Sequence, residues 1–257
     1  MTGASIPWLP DYAYAHRGLW GPKHGPENSL AAFEAARSFG LGVELDVRLS
    51  ADGEAMVFHD ETLDRMTAAR GYANGRTAAE LGRLLLKGSE ETIPTLAEAL
   101  EALEDTPVLV EFKVNRGSEG PLERRVAYVM SHHHGPAAIM SFNSATLREM
   151  AEQAPDSPRG QLCTGWRRGH APMMPWSRRG AIRAFIEEQH PRPDFIACEL
   201  EALATFGRPA ANALRTPLLA WTVRRRHQIE RAERYADALI FESLEPGLVK
   251  PTHPAFA

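Results

Sequence analysis

Val43-Glu44-Leu45-Asp46-Val47-Arg48-Leu49, residues 43–49, alternates apolar and charged side chains step by step. A period of two is that of a β-strand, so Glu44 and Asp46 project to one side and Leu45 to the other. Inside a barrel one side is the interior, where two like charges are costly unless a cation neutralises them. Val108–Val114 repeats the pattern, with Glu111 and Lys113 in register with each other. Three carboxylates against one ammonium favour a bound metal over a closed ion-pair network. Ligands that are all oxygen point to Mg²⁺ or Ca²⁺ rather than zinc.

Working outward, two histidines stand at the ends of other short apolar runs. His16 follows Tyr12-Ala13-Tyr14-Ala15, and His59 follows Met56-Val57-Phe58. Two such residues flanking a metal-type cluster read as a general acid and base. Arg17 offers a planar fork for phosphate oxygens and Lys113 a point charge. Together these groups suit an anionic substrate that gains charge in the transition state, as a phosphate ester does.

Further strand-like runs fall at Ala138–Phe142, Gly160–Cys163, Phe195–Cys198, Leu218–Val223 and Ala238–Phe241. Helical patterns lie between them. Asn28 reads as an N-cap ahead of Leu30, Phe33 and Ala36, with Gly40 as the stop. Thr95 and Glu98 form a capping box, and Asn143 or Ser144 caps the next helix. Later helices fit Arg178–Gln189, Leu200–Leu214 and Arg226–Tyr235. Strand–helix alternation argues for parallel strands with helical crossovers, and eight such units close a (β/α)₈ (TIM) barrel. The competing doubly wound sheet calls for a glycine-rich turn after its first strand, whereas the first strand here runs into His16-Arg17-Gly18. Residues 60–93 break the rhythm and are expected to form a small insertion after the second strand unit. The whole chain, 1–257, reads as one such domain.

Composition sets outer bounds. A length of 257 residues suits one barrel, and a net charge of -4 gives no reason to expect nucleic acid or an anionic membrane as partner. The arginine runs Arg167-Arg168, Arg178-Arg179 and Arg224-Arg225-Arg226 read as solvated surfaces. His132-His133-His134 reads as a solvated helix end. Cys163 and Cys198 read as small buried hydrophobes in a reducing compartment. With no signal-like start and no run of about 20 apolar residues, the expectation is a cytoplasmic protein without membrane anchor, monomeric or homodimeric, acting on a small phosphodiester. Walker, G-x-S-x-G and H-E-x-x-H motifs are absent.

The ordered motifs resemble the glycerophosphodiester phosphodiesterase family. They are His16-Arg17-Gly18, Pro26-Glu27-Asn28-Ser29, Glu44-Leu45-Asp46-Val47 and His59-Asp60-Glu61-Thr62-Leu63-Asp64-Arg65-Met66-Thr67. Ile93-Pro94-Thr95-Leu96, Glu111-Phe112-Lys113, Ser141-Phe142-Asn143 and Trp221-Thr222-Val223 continue the match in order. The resemblance implies a (β/α)₈ barrel that hydrolyses glycerophosphodiesters to an alcohol and glycerol 3-phosphate. Glu44, Asp46 and Glu111 would bind the divalent metal, His16 and His59 would exchange protons, and Arg17 and Lys113 would contact phosphate. It also implies a route through a cyclic phosphate, formed by a glycerol hydroxyl and opened by water. Glu27 would reach the metal shell through water or orient His16, and Asn28, whose helix start also faces the catalytic rim, would line the pocket or support the metal shell if it is not simply the cap. Trp221 would pack on the glycerol moiety or simply fill the barrel mouth.

Two positions depart from the family pattern: Arg224 stands where asparagine is frequent, and Phe241-Glu242 where Thr-Asp is frequent. Neither is expected to touch a ligand or proton carrier, which leaves the outer pocket and leaving group as the affected features. Lysophospholipids are the alternative substrates, with Trp166, Met173, Met174 and Trp176 as a possible apolar loop after the fifth strand. A catalytically idle binding barrel is the reading from another class, and the intact set of histidines and carboxylates speaks against it.

Overall fold

The computed structural model describes residues 6–115, 117–164 and 178–249. The strands are β1 (Ala13–His16), β2 (Gly42–Leu49), β3 (Ala55–Val57), β4 (Val108–Phe112) and β5 (Ala137–Ser141). They continue with β6 (Arg159–Cys163), β7 (Phe195–Glu199), β8 (Leu218–Val223) and β9 (Ala238–Phe241). All except β3 are parallel neighbours in the order β1-β9-β8-β7-β6-β5-β4-β2, and a β1–β2 pairing closes the ring. The result is the eight-stranded barrel that the alternation predicts. Helices α1 (Leu30–Ser38), α3 (Leu96–Leu103), α4 (Pro121–Met130), α5 (Ser144–Gln153), α6 (Arg178–Glu188), α7 (Arg208–Leu214) and α8 (Arg226–Tyr235) lie between strands, with a single turn α2 (Ala78–Leu81) in the insertion. None of them is long and apolar enough to cross a membrane.

Two apolar layers follow from the alternation. Val43, Leu45 and Val47 of β2 face outward into a core shared with Phe33, Leu96 and Leu100 of the helices. Tyr14, Leu109, Met140, Leu162, Phe195 and Ile240 fill the barrel interior. The inward positions two residues further along β1, β2 and β4 are polar. His16 pairs with Glu44, and Asp46 with Glu111, as register partners. The barrel is thus apolar below and charged at the C-terminal rim, where (β/α)₈ enzymes carry their chemistry.

The capping box of Thr95 and Glu98 forms as expected, and the Asn143 side chain accepts from Ala145 N–H. The cap of α1, however, is Ser29, whose hydroxyl accepts from Ala32 N–H. Asn28 sits in the left-handed region at φ 57° and turns its side chain to the barrel mouth. The expected helix over Leu200–Leu214 is three pieces: a 3₁₀ turn at Leu200–Ala202, a π-helical turn at Leu203–Gly207, and α7. Pro209 has no N–H for the preceding turn, which opens the winding there. His132 Nδ1–H donates to Tyr128 O at 2.8 Å and lies exposed just past the end of α4, the solvated terminus expected.

Residues 60–93 form the insertion. β3 runs antiparallel to β2, with Val57 opposite Val47, so His59 arrives from a hairpin rather than from a barrel strand. The insertion packs around its own apolar cluster, including Phe58, Leu63, Leu81, Leu86 and Ile93. Trp166, Met173, Met174, Trp176 and the pair Arg167-Arg168 lie outside the described residues.

Glycine is required inside the barrel where β6 passes Phe195. A Cβ on Gly160 would meet the ring at 2.2 Å, and Phe195 is fully buried. Gly160→Ala should therefore cost about 1–3 kcal/mol through overpacking, read as a lower urea midpoint. An unchanged midpoint would show that Phe195 repacks freely.

Candidate active site

The turn after β1 sets the first side of the site. Arg17 has φ 61° and Gly18 φ 82°, and a Cβ on Gly18 would come within 2.9 Å of Ala32 and Phe33. Glycine lets this turn press against α1. The turned backbone aims Arg17 N–H at Glu44 Oε2, 3.0 Å away. Arg17 Nη1 donates to Glu27 Oε1 at 2.8 Å, and its Nε lies 3.2 Å from Asp46 Oδ2.

Asp46 is held from three directions. Asn28 Nδ2 donates to Oδ2 at 2.9 Å, and Asn28 Oδ1 accepts from Asp46 N–H at 3.3 Å. Lys113 Nζ lies 3.0 Å from Oδ1 and also contacts Glu111 Oε1. Of the two expectations for Asn28, helix cap and pocket residue, the second holds: it clamps a carboxylate, and its left-handed backbone makes that reach possible.

Glu44, Asp46 and Glu111 each present an oxygen within 4.8 Å of the other two, and all three are buried. Burial and then the charges of Asp46 and Glu111 push the Glu44 carboxyl well above the usual range. Burial also raises Glu111. Asp46 moves the other way: its burial is outweighed by Lys113 and Arg17, which hold it strongly ionised. Glu44 Oε1 is buried without a hydrogen-bond partner among the described residues. An unpartnered buried oxygen beside two more carboxylates fits a hard divalent cation, which satisfies oxygens and charge together.

The histidines flank this cluster in matching ways. His59 Nδ1 lies 2.7 Å from Asp60 Oδ1, and Arg65 Nε donates to Asp60 Oδ2 at 2.5 Å. Arg65 also grips both oxygens of Glu27, at 2.6 and 2.9 Å. Burial lowers the His59 pKa. His16 Nδ1 lies 2.6 Å from Glu242 Oε2, while its Nε2 is 3.9 Å from Glu44 Oε2. Arg224 Nε donates to Glu242 Oε1 at 2.8 Å.

Several expectations change here. Glu242 was expected to touch no proton carrier, yet it binds His16. Barrel closure explains the contact: Phe241 pairs with Ala15, so the residue after β9 stands beside the end of β1. Arg224 turns to Glu242, while Arg225 and Arg226 are exposed. Glu27 hydrogen-bonds Arg17 and Arg65, whereas His16 is oriented by Glu242. Asp60 and Arg65 were quoted only as parts of a motif. Their spacing, adjacent to His59 and five residues beyond Asp60, was the signal for an acid–base relay. Trp221 packs against the interior cluster and meets the exposed Phe142 edge-on, with centroids 5.5 Å apart. That puts an aromatic pair at the mouth, with Trp221 on β8 three strands from β2 one way round and Phe142 after β5 two strands from it the other way.

Histidines with engaged Nδ1 atoms, a cation-seeking cluster and fixed guanidinium and ammonium groups converge on one rim. Chemistry of this kind belongs to hydrolases of phosphoric diesters built on (β/α)₈ barrels. The model of the glycerophosphoryl diester phosphodiesterase family matches residues 16–244. A glycerophosphodiester phosphodiesterase of Caldanaerobacter subterraneus subsp. tengcongensis is 33% identical over 229 residues, covering 84% of this chain and 87% of that protein. Among solved structures, an Oleispira antarctica phosphodiesterase in complex with the product sn-glycerol-3-phosphate superposes with TM-score 0.77 at 26% identity, covering 94% of this chain and 96% of that one. A Thermotoga maritima glycerophosphodiester phosphodiesterase gives TM-score 0.69 at 25% identity over 90% and 94% of the two chains. The chain belongs to the glycerophosphoryl diester phosphodiesterase family.

The Arg17–Glu27–Arg65 clamp has a testable pH signature. Burial would raise the Glu27 pKa, but Arg65 and Arg17 together lower it. A carboxyl depressed in the folded state adds stability that is full above its unfolded pKa, about 4.3, and lost as pH falls through the folded value. The stability difference between the unmodified protein and Glu27→Gln should therefore shrink as pH falls below about 5, as urea titrations would show. A constant difference would show that the clamp adds no charge-dependent stability.

Proposed function

We propose that the protein hydrolyses glycerophosphodiesters to an alcohol and glycerol 3-phosphate by metal-assisted acid–base catalysis. The observation that carries this reading is the trio Glu44, Asp46 and Glu111, bracketed by two histidines whose Nδ1 atoms are each held by a carboxylate. Support comes from the product-bound Oleispira antarctica relative.

In this reading Glu44, Asp46 and Glu111 hold Mg²⁺ or Ca²⁺. The cation, when bound, offsets the charge of the phosphoryl oxygens. Arg17 and Lys113 lie at the same rim and contact the phosphate. Their own carboxylate partners fix both groups, so they are oriented before substrate arrives and need little reorganisation in the transition state. Nε2 of one histidine takes the proton of the attacking hydroxyl, and Nε2 of the other gives a proton to the departing alkoxide. The family route through a cyclic phosphate uses the same two rings with their roles exchanged in the second half, when water attacks. Trp221 and Phe142 form the wall against which the organic part of the substrate packs. The whole chain serves as one barrel domain, with the β2–β3 hairpin delivering His59 and residues 60–93 supplying Asp60 and Arg65.

His16→Ala and His59→Ala should each lower turnover roughly 10²–10⁴-fold while leaving the circular dichroism spectrum unchanged. The assay is a panel of glycerophosphocholine, glycerophosphoethanolamine, glycerophosphoglycerol and lysophospholipids, each with Mg²⁺ and with Ca²⁺. Near-normal turnover in either variant would sink the acid–base assignment, and cleavage of lysophospholipids alone would transfer the reading to that substrate class.

The cation can be tested without turnover. Mg²⁺ or Ca²⁺ at about 100 times its dissociation constant should stabilise the protein by about 2.7 kcal/mol. The rise in thermal midpoint should vanish in Asp46→Asn. An equal rise in that variant would place the ion elsewhere.

A further inference from the structure

His16 is the histidine carried by a barrel strand, and its surroundings are supplied by the last two strands. Glu242 follows β9, Arg224 follows β8, and Glu242 N–H donates to Val223 O at 3.0 Å, tying the two strand ends together. The turn at Arg224 is pinned by its own N–H, which donates to Gln228 Oε1 at 2.8 Å.

The contact between Glu242 and His16 has one consistent proton assignment. An ionised carboxylate has only acceptor atoms, so the 2.6 Å approach to Nδ1 requires the hydrogen on Nδ1. Burial favours a neutral Glu242, but the hydrogen bonds from His16 and Arg224 lower its pKa to about 2. With Nδ1 carrying the hydrogen, the lone pair of the neutral ring is on Nε2, the atom that faces Glu44. Arg224 grips the carboxylate from the other side, through Nε to Oε1 at 2.8 Å and Nη2 to Oε2 at 3.4 Å. The two positions at which the chain departs from its family's pattern are therefore in contact with each other.

We infer that Glu242 and Arg224 are positioning residues for His16: the carboxylate fixes the tautomer and direction of the ring, and the guanidinium fixes the carboxylate. The inference rests on the reading of His16 as a proton carrier. It gives His16 the support that Asp60 and Arg65 give His59. The two relays differ in origin. Asp60 is the chain neighbour of its histidine, whereas Glu242 lies 226 residues from His16 and meets it only because the barrel closes. Substitutions at Arg224 and Glu242 should therefore act as one unit.

The test combines kinetics with a tautomer measurement. Glu242→Ala, and Glu242→Gln as the variant that keeps the volume, should lower kcat roughly 10- to 100-fold on the best substrate of the panel, with KM little changed. Glu242→Asp keeps an acceptor and should recover part of the loss. Arg224→Ala should lower kcat less, and should add nothing in the Glu242→Ala background. In ¹⁵N-labelled protein, the neutral His16 ring should carry its hydrogen on Nδ1, and Glu242→Ala should shift it towards Nε2. A kcat for Glu242→Ala and Glu242→Gln within about twofold of the unmodified protein, while His16→Ala loses turnover, would overturn the inference. So would an unmodified His16 protonated on Nε2. Losses for Arg224→Ala and Glu242→Ala that multiply in the double variant would remove Arg224 from the relay. A tautomer that shifts as expected while His16→Ala keeps full turnover would leave the positioning intact and remove the proton-carrier reading instead.

Discussion

Three carboxylates buried within 4.8 Å of one another form the constraint on which the rim is built. At an effective dielectric near 20, each like-charged pair at such a distance repels by about 3 kcal/mol. Every neighbouring element answers that repulsion. Arg17 and Asn28 come from the β1–α1 connection, Lys113 from the end of β4, and the backbone N–H of Arg17 reaches Glu44. The compensation is uneven. Asp46 receives most of it and stays ionised, whereas Glu44 is left with a raised pKa and an unpartnered oxygen. A site with one charge-compensated carboxylate and two buried oxygens, Glu44 Oε1 and Asp46 Oδ1, that accept no hydrogen bond among the described residues is prepared for a cation in a way that a fully paired network is not.

The charge does not stop at the first ring of residues. Asp46 leads to Arg17, then Glu27, Arg65, Asp60 and His59 by contacts of 2.5 to 3.2 Å. On the other flank, Glu44 neighbours His16, which leads to Glu242 and Arg224. Along both paths each carboxylate is met by a donor, either an arginine or a histidine ring. Each is oriented by the next, which gives catalytic side chains fixed directions even at a rim made of loops.

Much of this was legible in the chain. Alternation located β2 and the shared face of Glu44 and Asp46, because the pleat permits no other arrangement. Runs of apolar residues located the remaining strands for the same reason. Sequence reading fell short where a choice depends on three dimensions. Asn28 and Ser29 are both able to cap a helix, and only the pull of Asp46 on Asn28 decides between them. The apolar run Leu200–Leu214 looks like one helix, because its periodicity does not reveal the change of winding before Pro209. The contact of Glu242 with His16 spans 226 residues and comes from ring closure, which no local pattern records.

The two histidines draw on parts of the molecule with different stabilities. His16 ends a strand hydrogen-bonded on both sides within the barrel. His59 follows β3, whose Ala55 and Val57 join the main core, but Asp60 and Arg65 that orient it belong to the insertion, which packs around a smaller separate cluster. A transient opening confined to residues 60–93 would withdraw Asp60 from His59 and release Arg65 from Glu27 while the barrel stayed closed. Native-state fluctuations of the insertion would then loosen the orientation of the His59 ring without global unfolding.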